Sequence, residues 1–368
     1  MQCYKPLIRR EDTYKWKTAK DGHKYHDFTV FSSDRLEDYL KNHPLGRYRY
    51  DQIPCGRCIG CRLDKSRDWA NRGYLEASLY PDKNWFVTLT YDDKFLTTPE
   101  SVTTTNDITY TELDELEWKG TLVPAELKQF MKNFRQIMKR EYNQDGIRFM
   151  ACGEYGEEGR RPHYHLIIFN ADLPSETFYA PHVNFQKDTS WKNTIIERAW
   201  GRDDKKHKEA KGICDISEAN WNNIAYTARY ITKKQYGKEA EDFYAAQGEE
   251  IEFFRTSNGG GVKDPENNPG GIGKPYYDLH KDEIYKIDKI LIRNKKGSHW
   301  VTPPKYFDDL YERECPEAFE EIKKRRRKKA AEQALMKAET TSLTMWEQLQ
   351  IEQATKEDAA LALKRNLV

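Results

Sequence analysis

Residues 161–169 read RPHYHLIIF. After Pro162 every residue is aromatic, branched or β-branched except His163 and His165, so the run is a strand that starts at the proline. Successive side chains on a strand point to opposite faces. His163 and His165 therefore share one face, with Ile167 and Phe169 behind them. A strand this apolar has to be buried, which calls for a sheet with helices packed on one or both faces. Two neutral imidazoles side by side can hold a divalent metal. They can equally be two partly exposed side chains at a strand end, because His-x-His is short and common.

Other segments supply the layers. RLDKSRDWANRGYLEASLY, residues 62–80, reads as a helix with Leu63, Trp69, Ala70, Leu75 and Leu79 in its apolar stripe. NWFVTLTYDD, residues 84–93, is a strand. Residues 97–123 are polar, Thr-rich and acidic, and read as an inserted loop. PAELKQFMKNFRQIMKREY, residues 124–142, is an amphipathic helix that opens on Pro124. IRFMACGEYG, residues 147–156, is the strand before the histidines. A helix around Trp191–Trp200, a strand near Gly212–Ile216 and a helix over Trp221–Tyr236 follow. Residues 255–275 are loop, and the last third reads as charged helix. Residues 1–54 lack periodicity and read as an extension. The expected class is α+β: an antiparallel sheet of about five strands flanked by helices, with a Cys-rich N-terminal extension and a helical C-terminal region. The expected divisions are 1–61, a core at 62–280, and 281–368.

Composition bounds the partners. One third of the 368 residues are charged, yet the formal net charge is only +1. Charges of both signs are interspersed, so a nucleic acid would be met by local patches, not by a global field. The 23 tyrosines suit base stacking and ordinary packing alike. No apolar run approaches the roughly 20 residues of a membrane span. No basic start leads into an apolar h-region. The expectation is a soluble intracellular protein with no membrane partner.

Three of the seven cysteines, Cys55, Cys58 and Cys61, form C-x2-C-x2-C. The odd total and tight spacing argue against a disulfide framework. Thiolates at this spacing converge on one ion, most often Zn2+. Cys3 is the leading fourth ligand and His43 the next. An iron–sulfur cluster fits less well, because the usual fourth spaced Cys-Pro is absent. Reduced, unligated thiols are the plain alternative. A Zn2+ here would be a structural clip with no open position.

Eight residues with two glycines separate Glu154 from His163, a plausible hairpin connection. If Glu154 pairs with His163, the two side chains share a face. Glu154, His163 and His165 then form a Glu/His/His set that suits Mn2+ and tolerates Mg2+. A slip of one would turn Glu154 away, leaving Glu157 and Glu158 as fallback ligands. In NIAYTARYITKK, residues 223–234, Tyr226 and Tyr230 are neighbours on one helix face, with Lys233 beside them. Ile224, Ala228 and Ile231 fall on the opposite face. A tyrosine can attack phosphorus and become joined to it. A metal can polarise the phosphoryl oxygens, and a lysine can neutralise developing charge. Two tyrosines allow two successive transfers. In the bland alternative the tyrosines only pack.

These motifs resemble those of the HUH endonucleases, the rolling-circle replication initiators. RPHYHLIIF resembles their His-hydrophobic-His motif, FVTLTYDD their first motif, and YTARYITKK the two-tyrosine motif of bacteriophage initiators. The order CYKP, PCGRCIGCRLDKSRDWANR, the histidine motif, RYITKKQYG and NPGGIGKPYY is similar to that of Microviridae initiators of the gokushovirus type. The match covers roughly residues 1–310; the doubled glycine at Gly270 and Gly271 departs from the pattern. The resemblance implies an HUH core with His163 and His165 on the metal, Tyr226 and Tyr230 as nucleophiles, and Lys233 as a supporting lysine. It implies nicking of one strand of single-stranded or supercoiled circular phage DNA at the origin. That leaves a 5′-phosphotyrosyl link and a 3′-OH for host DNA polymerase, and rejoining releases circles. Without a Walker A pattern, a helicase would come from the host. The expected location is the bacterial host cytoplasm.

Arg160 and Arg161 flank the metal strand and Lys234 adjoins the tyrosines; each is a candidate phosphate contact or an ordinary solvated charge. The same alternatives hold for KKRRRKK at 323–329. Two other functions compete. A metal phosphodiesterase using water would form no protein–DNA adduct. A non-enzymatic, zinc-stabilised DNA-binding protein would be indifferent to loss of the catalytic metal.

Overall fold

A computed structural model of the chain describes residues 3–18, 24–43, 45–96, 120–156, 159–184, 187–201, 210–233, 238–257, 270–294 and 297–362. In chain order its elements are β1 (Leu7–Thr18), β2 (Lys24–Ser32), α1 (Leu36–Asn42), β3 (Tyr48–Ile53), α2 (Ile59–Ala77), β4 (Trp85–Leu89), α3 (Pro124–Tyr142), β5 (Arg148–Tyr155) and β6 (Pro162–Phe169). There follow β7 (Phe178–Val183), β8 (Thr189–Asn193), α4 (Thr194–Trp200), β9 (Cys214–Glu218), α5 (Trp221–Lys233), α6 (Lys238–Ala246) and β10 (Phe253–Thr256). The chain ends with α7 (Lys274–Ile287), β11 (Ile290–Asn294), β12 (Gly297–Val301), α8 (Lys305–Glu314), α9 (Pro316–Glu339) and α10 (Met345–Ala362). The chain divides into two compact units, Met1–Lys65 with Gln333–Leu363, and Ser66–Glu332 with Lys364–Val368.

The first unit gives regular structure to residues 1–54, read from the sequence as an extension without periodicity. It holds a three-stranded antiparallel sheet in the order β2-β1-β3. Its strands carry charge at consecutive positions, as in RREDTYKWK, so the period-two apolar signal of a strand is missing. Both chain ends contribute. Tyr4 and Ile59 form a small core against which Leu349 and Ala360 of α10 pack. Lys356 Nζ donates to Tyr4 Oη at 2.7 Å.

The second unit is built on a seven-stranded antiparallel sheet in the order β10-β5-β6-β4-β9-β8-β7. The α+β class holds, with more strands than the five expected. All eight residues of β6 are buried, because helices cover both of its faces. On one side Val87, Tyr164, Leu166 and Ile168 meet Phe130, Phe134 and Met138 of α3 and Trp200 of α4. On the other Phe86, Met150, Ile167 and Phe169 meet Ile224 and Ala228 of α5 and Ala70 of α2.

Local chemistry sets the ends of these elements. Pro124 opens α3 and Asn143 closes it in a left-handed conformation at φ 51°. The helix expected around Trp191–Trp200 is shorter. Asn193 accepts from the backbone N–H of Ile195 and Ile196, so α4 starts after it and Trp191 lies in β8. The strand near Gly212–Ile216 is Cys214–Glu218. β7 escaped notice because Pro181 interrupts it, which an edge strand tolerates. β10 takes four residues up to Thr256, inside the stretch read as loop from 255. The hairpin β11–β12 likewise breaks the region read as wholly helical. Most of the insertion at 97–123 lies outside the described residues. Among the described residues no helix is long and apolar enough to cross a membrane.

Gly212 brings the chain against the end of β4. A Cβ built there would lie 2.6 Å from the Thr90 carbonyl oxygen and 2.7 Å from the Asp92 amide nitrogen. Both are backbone atoms and neither can swing aside. Gly212→Ala is therefore expected to destabilise the protein by about 1–3 kcal/mol, read as a lowered midpoint in urea unfolding with an unchanged slope.

Candidate active site

β5 and β6 pair with Glu154 opposite His163 and Cys152 opposite His165. This is the register that places Glu154, His163 and His165 on one face. Glu154 Oε1 lies 2.9 Å from His163 Nε2 and 2.8 Å from His165 Nε2. All three residues are at least 96% buried, and their ligand atoms lie within 4.8 Å of one another. The other ring nitrogens are held from behind. His163 Nδ1 meets the Arg161 carbonyl at 3.1 Å, and His165 Nδ1 meets Thr88 Oγ1 at 3.0 Å. A carbonyl only accepts, so His163 Nδ1 carries a hydrogen. In the neutral ring, Nε2 then turns its lone pair toward a carboxylate oxygen. Two acceptors at that separation need a proton or a cation between them. His165 Nε2 approaches the same oxygen outside hydrogen-bond alignment. Two imidazoles and a carboxylate converging in this way suit a divalent ion. Burial alone would raise the Glu154 carboxyl. The close approach of the His163 and His165 imidazoles outweighs it and holds the group well below the ordinary carboxylate range.

Tyr226 and Tyr230 stand one turn apart on α5 and face this carboxylate. Tyr226 Oη donates to Glu154 Oε1 at 2.9 Å, and the two hydroxyl oxygens lie 2.5 Å apart. The tyrosine face thus meets the Glu154 carboxylate. Both tyrosines are nonetheless buried, as Ile224 is, and the open side of α5 carries Asn222, Ala225 and Arg229. Burial first, then the charge of Glu154, pushes both phenols well above their usual range. Tyr226 and both imidazoles address the same carboxylate oxygen, so an ion held there competes with the phenol for it.

The remaining expected residues fall differently. Lys233 ends α5, but its side chain, like Lys234, Glu157 and Glu158, lies outside the described residues. Arg160 pairs with Glu249, with Nε 2.6 Å from Oε1. Arg161 donates to the Tyr91 carbonyl and pairs with Asp93. In the basic run, Lys323, Lys324, Arg326 and Arg327 all meet acidic partners, Arg326 both Asp288 and Asp308. Cys3, Cys55, Cys58 and Cys61 do converge, and the four sulfurs could hold a metal. Cys55 Sγ lies 4.0 Å from Cys61 Sγ, and Cys58 Sγ 3.9 Å from Cys3 Sγ. Backbone N–H groups of Tyr4, Cys55, Arg57 and Cys58 point at these sulfurs. Against burial, such backbone bonds bring the Cys58 thiol down to about 7, while burial pushes Cys61 up. His43, the alternative fourth ligand, instead bonds the Tyr39 carbonyl.

Sequence reasoning assigned no role to Thr88, whose hold on His165 follows from the β4–β6 register. It also passed over Asp215, opposite Thr88 on β9 and paired with His182 at 3.0 Å.

A family profile of replication-associated proteins of the ORF2 type matches residues 84–235. Over 348 residues the chain is 31% identical to the replication-associated protein ORF2 of Spiroplasma virus 4, covering 93% of this chain and 90% of that protein. The chain belongs to this family of replication-associated proteins. Family members from Bdellovibrio phage phiMH2K and Chlamydia phage 1, VP4 and ORF4, are 25% identical over 319 residues and 23% identical over 260. They cover 85% and 70% of this chain, and the matches take in 82% and 53% of their own lengths. No solved structure matches the chain. The resemblance to phage initiators read from motif order is therefore sound, and the stretch matching the family profile runs from the start of β4 to just past α5.

The donor set makes a direct prediction for this family member. Mn2+ binding, followed by the electron paramagnetic resonance signal of the free ion, is expected to be lost in Glu154→Gln. In Thr88→Ala, which frees the His165 ring, it is expected to weaken about tenfold.

Proposed function

We propose that the protein is a rolling-circle replication initiator that nicks and rejoins one strand of circular phage DNA through a 5′-phosphotyrosine. The observation that carries this reading is that the Tyr226 hydroxyl bonds the same Glu154 oxygen that both imidazoles approach. Nucleophile and metal ligands then meet at a single point.

Glu154, His163 and His165 would hold Mg2+ or Mn2+. Such an ion polarises the phosphoryl oxygens and offsets the charge that develops on them. The Arg161 carbonyl and Thr88 keep both rings turned so that Nε2 of each faces Glu154, in the set that would hold the ion. A tyrosine oxygen attacks phosphorus as its proton leaves. The P–O3′ bond breaks, and the departing oxygen takes a proton to become the free 3′-OH. The reverse attack by a 3′-OH expels the phenol and reseals the strand. Tyr226 and Tyr230 lie close enough for the second to act in turn. Lys233 is proposed to support the charge on phosphorus. Arg160, Arg161 and Lys234 are proposed phosphate contacts, which for both arginines means exchanging a carboxylate for a phosphate. The cysteine set, four converging thiols, suits a structural Zn2+. We place the nicking core at 62–280, between the extension 1–61 and the region 281–368. Host helicase and polymerase in the bacterial cytoplasm complete the cycle.

Burial of both phenols is also what a packing role would give, which keeps the water-using phosphodiesterase as a second reading. The two separate on one gel. With an origin oligonucleotide and Mn2+, a covalent protein–DNA band is expected in the wild-type protein. It is expected to be absent in the Tyr226→Phe/Tyr230→Phe double variant and after chelation, and restored by added Mn2+. Cleavage without the band would establish the phosphodiesterase instead.

A further inference from the structure

The sheet β2-β1-β3 has two unlike faces. On one, Phe31 stacks on Tyr39 of α1 with ring centroids 3.8 Å apart, and Arg10 lies over Tyr39 and Tyr48. On the other, β2 presents Lys24, His26, Phe28 and Val30, every second residue. The register adds Trp16 opposite His26, Glu11 opposite Phe28 and Arg9 opposite Val30. β3 adds Arg49 opposite Glu11. This second face is where the aromatic surface lies open. Trp16 is 58% exposed, Phe28 45% and Val30 41%. The Trp16 and His26 rings lie 3.7 Å apart between centroids, tilted by 37°, and the Arg9 guanidinium sits 4.8 Å from the Phe28 ring centre.

The Glu11 carboxylate is 4% exposed and lies beneath Arg9 and Arg49, which are 34% and 61% exposed. Asp51, opposite Arg9 on the same face, is 46% exposed and accepts from Arg49 Nε at 3.0 Å. Both acids are held by guanidinium groups, and the face carries Arg9, Arg49 and Lys24 against Glu11 and Asp51, a net positive charge, with π faces between guanidinium planes. Unpaired bases stack on such rings, and phosphates meet the cations around them. A second copy of the same face would set that net positive charge against itself. A duplex would offer phosphates but no free base faces.

We propose that this face of the first unit binds single-stranded DNA by base stacking on Trp16 and Phe28, with Arg9, Arg49 and Lys24 at the phosphates. The proposal deepens the initiator reading, and rests on it, by giving the strand a second contact that the nicking centre does not supply.

The test is fluorescence anisotropy of a labelled oligo-dT on the full-length protein, with no divalent metal added. Because no adduct is formed or required, the outcome is independent of whether the tyrosines react. Trp16→Ala/Phe28→Ala is expected to weaken oligo-dT binding about tenfold or more. Trp16→Phe/Phe28→Tyr, which keeps both rings, is expected to bind as the wild-type protein does. A duplex of equal length should show no such difference. Should the alanine pair unfold by circular dichroism, Trp16→Leu keeps the apolar bulk and is expected to show the loss. Unchanged affinity in the folded ring-less variants, or equal loss in the ring-keeping pair, overturns the proposal. So does a wild-type dimer that the alanine pair dissociates in sedimentation velocity, which would make the face a contact between copies.

Discussion

A carboxylate buried in a sheet stays charged only if polar groups meet it there, and Glu154 is met by three on one oxygen. Much of the centre follows from that. The imidazoles have to present Nε2, so Nδ1 of each needs its own partner from the Arg161 carbonyl and Thr88. Thr88 is in place only because β4 pairs with β6 in one register, as Glu154 is only because β5 does on the other side. A shift of one residue in either pairing would reverse a whole row of side chains. The burial of all eight residues of β6 makes such a shift costly, because it would turn the histidines into the apolar layer.

Much of the site could be read in advance, for reasons that differ by residue. The histidines announce themselves because everything around them is apolar. Tyr226 and Tyr230 are legible because helix geometry brings residues four apart together. Glu154 needed a guess about register, and the two-glycine connection made the right one. Cys3 leads the sequence candidates for the fourth ligand, ahead of His43, and its sulfur does converge with the other three. Thr88 was not, because its role exists only once two strands from different parts of the chain are paired. The N-terminal sheet was hidden for another reason: its faces are polar or aromatic where a strand signal expects alternation. β10 was too short to register, and β8 was absorbed into the helix that Asn193 starts.

The two convergent sites differ in chemistry as well as place. One offers two imidazoles and a carboxylate, the other four sulfurs. Harder oxygen-seeking cations prefer the first and softer cations the second. An ion on the nitrogen and oxygen set would have three protein ligands, and one on the sulfur set four. The two donor sets thus favour different cations by chemistry as well as by affinity.

The pairing of Lys356 with Tyr4 spans 352 residues of sequence. Closing a loop of that length costs entropy before any contact rewards it, so the small core around Tyr4 and Ile59 forms at a greater cost than the contacts of the seven-stranded sheet, whose strands lie between residues 85 and 256.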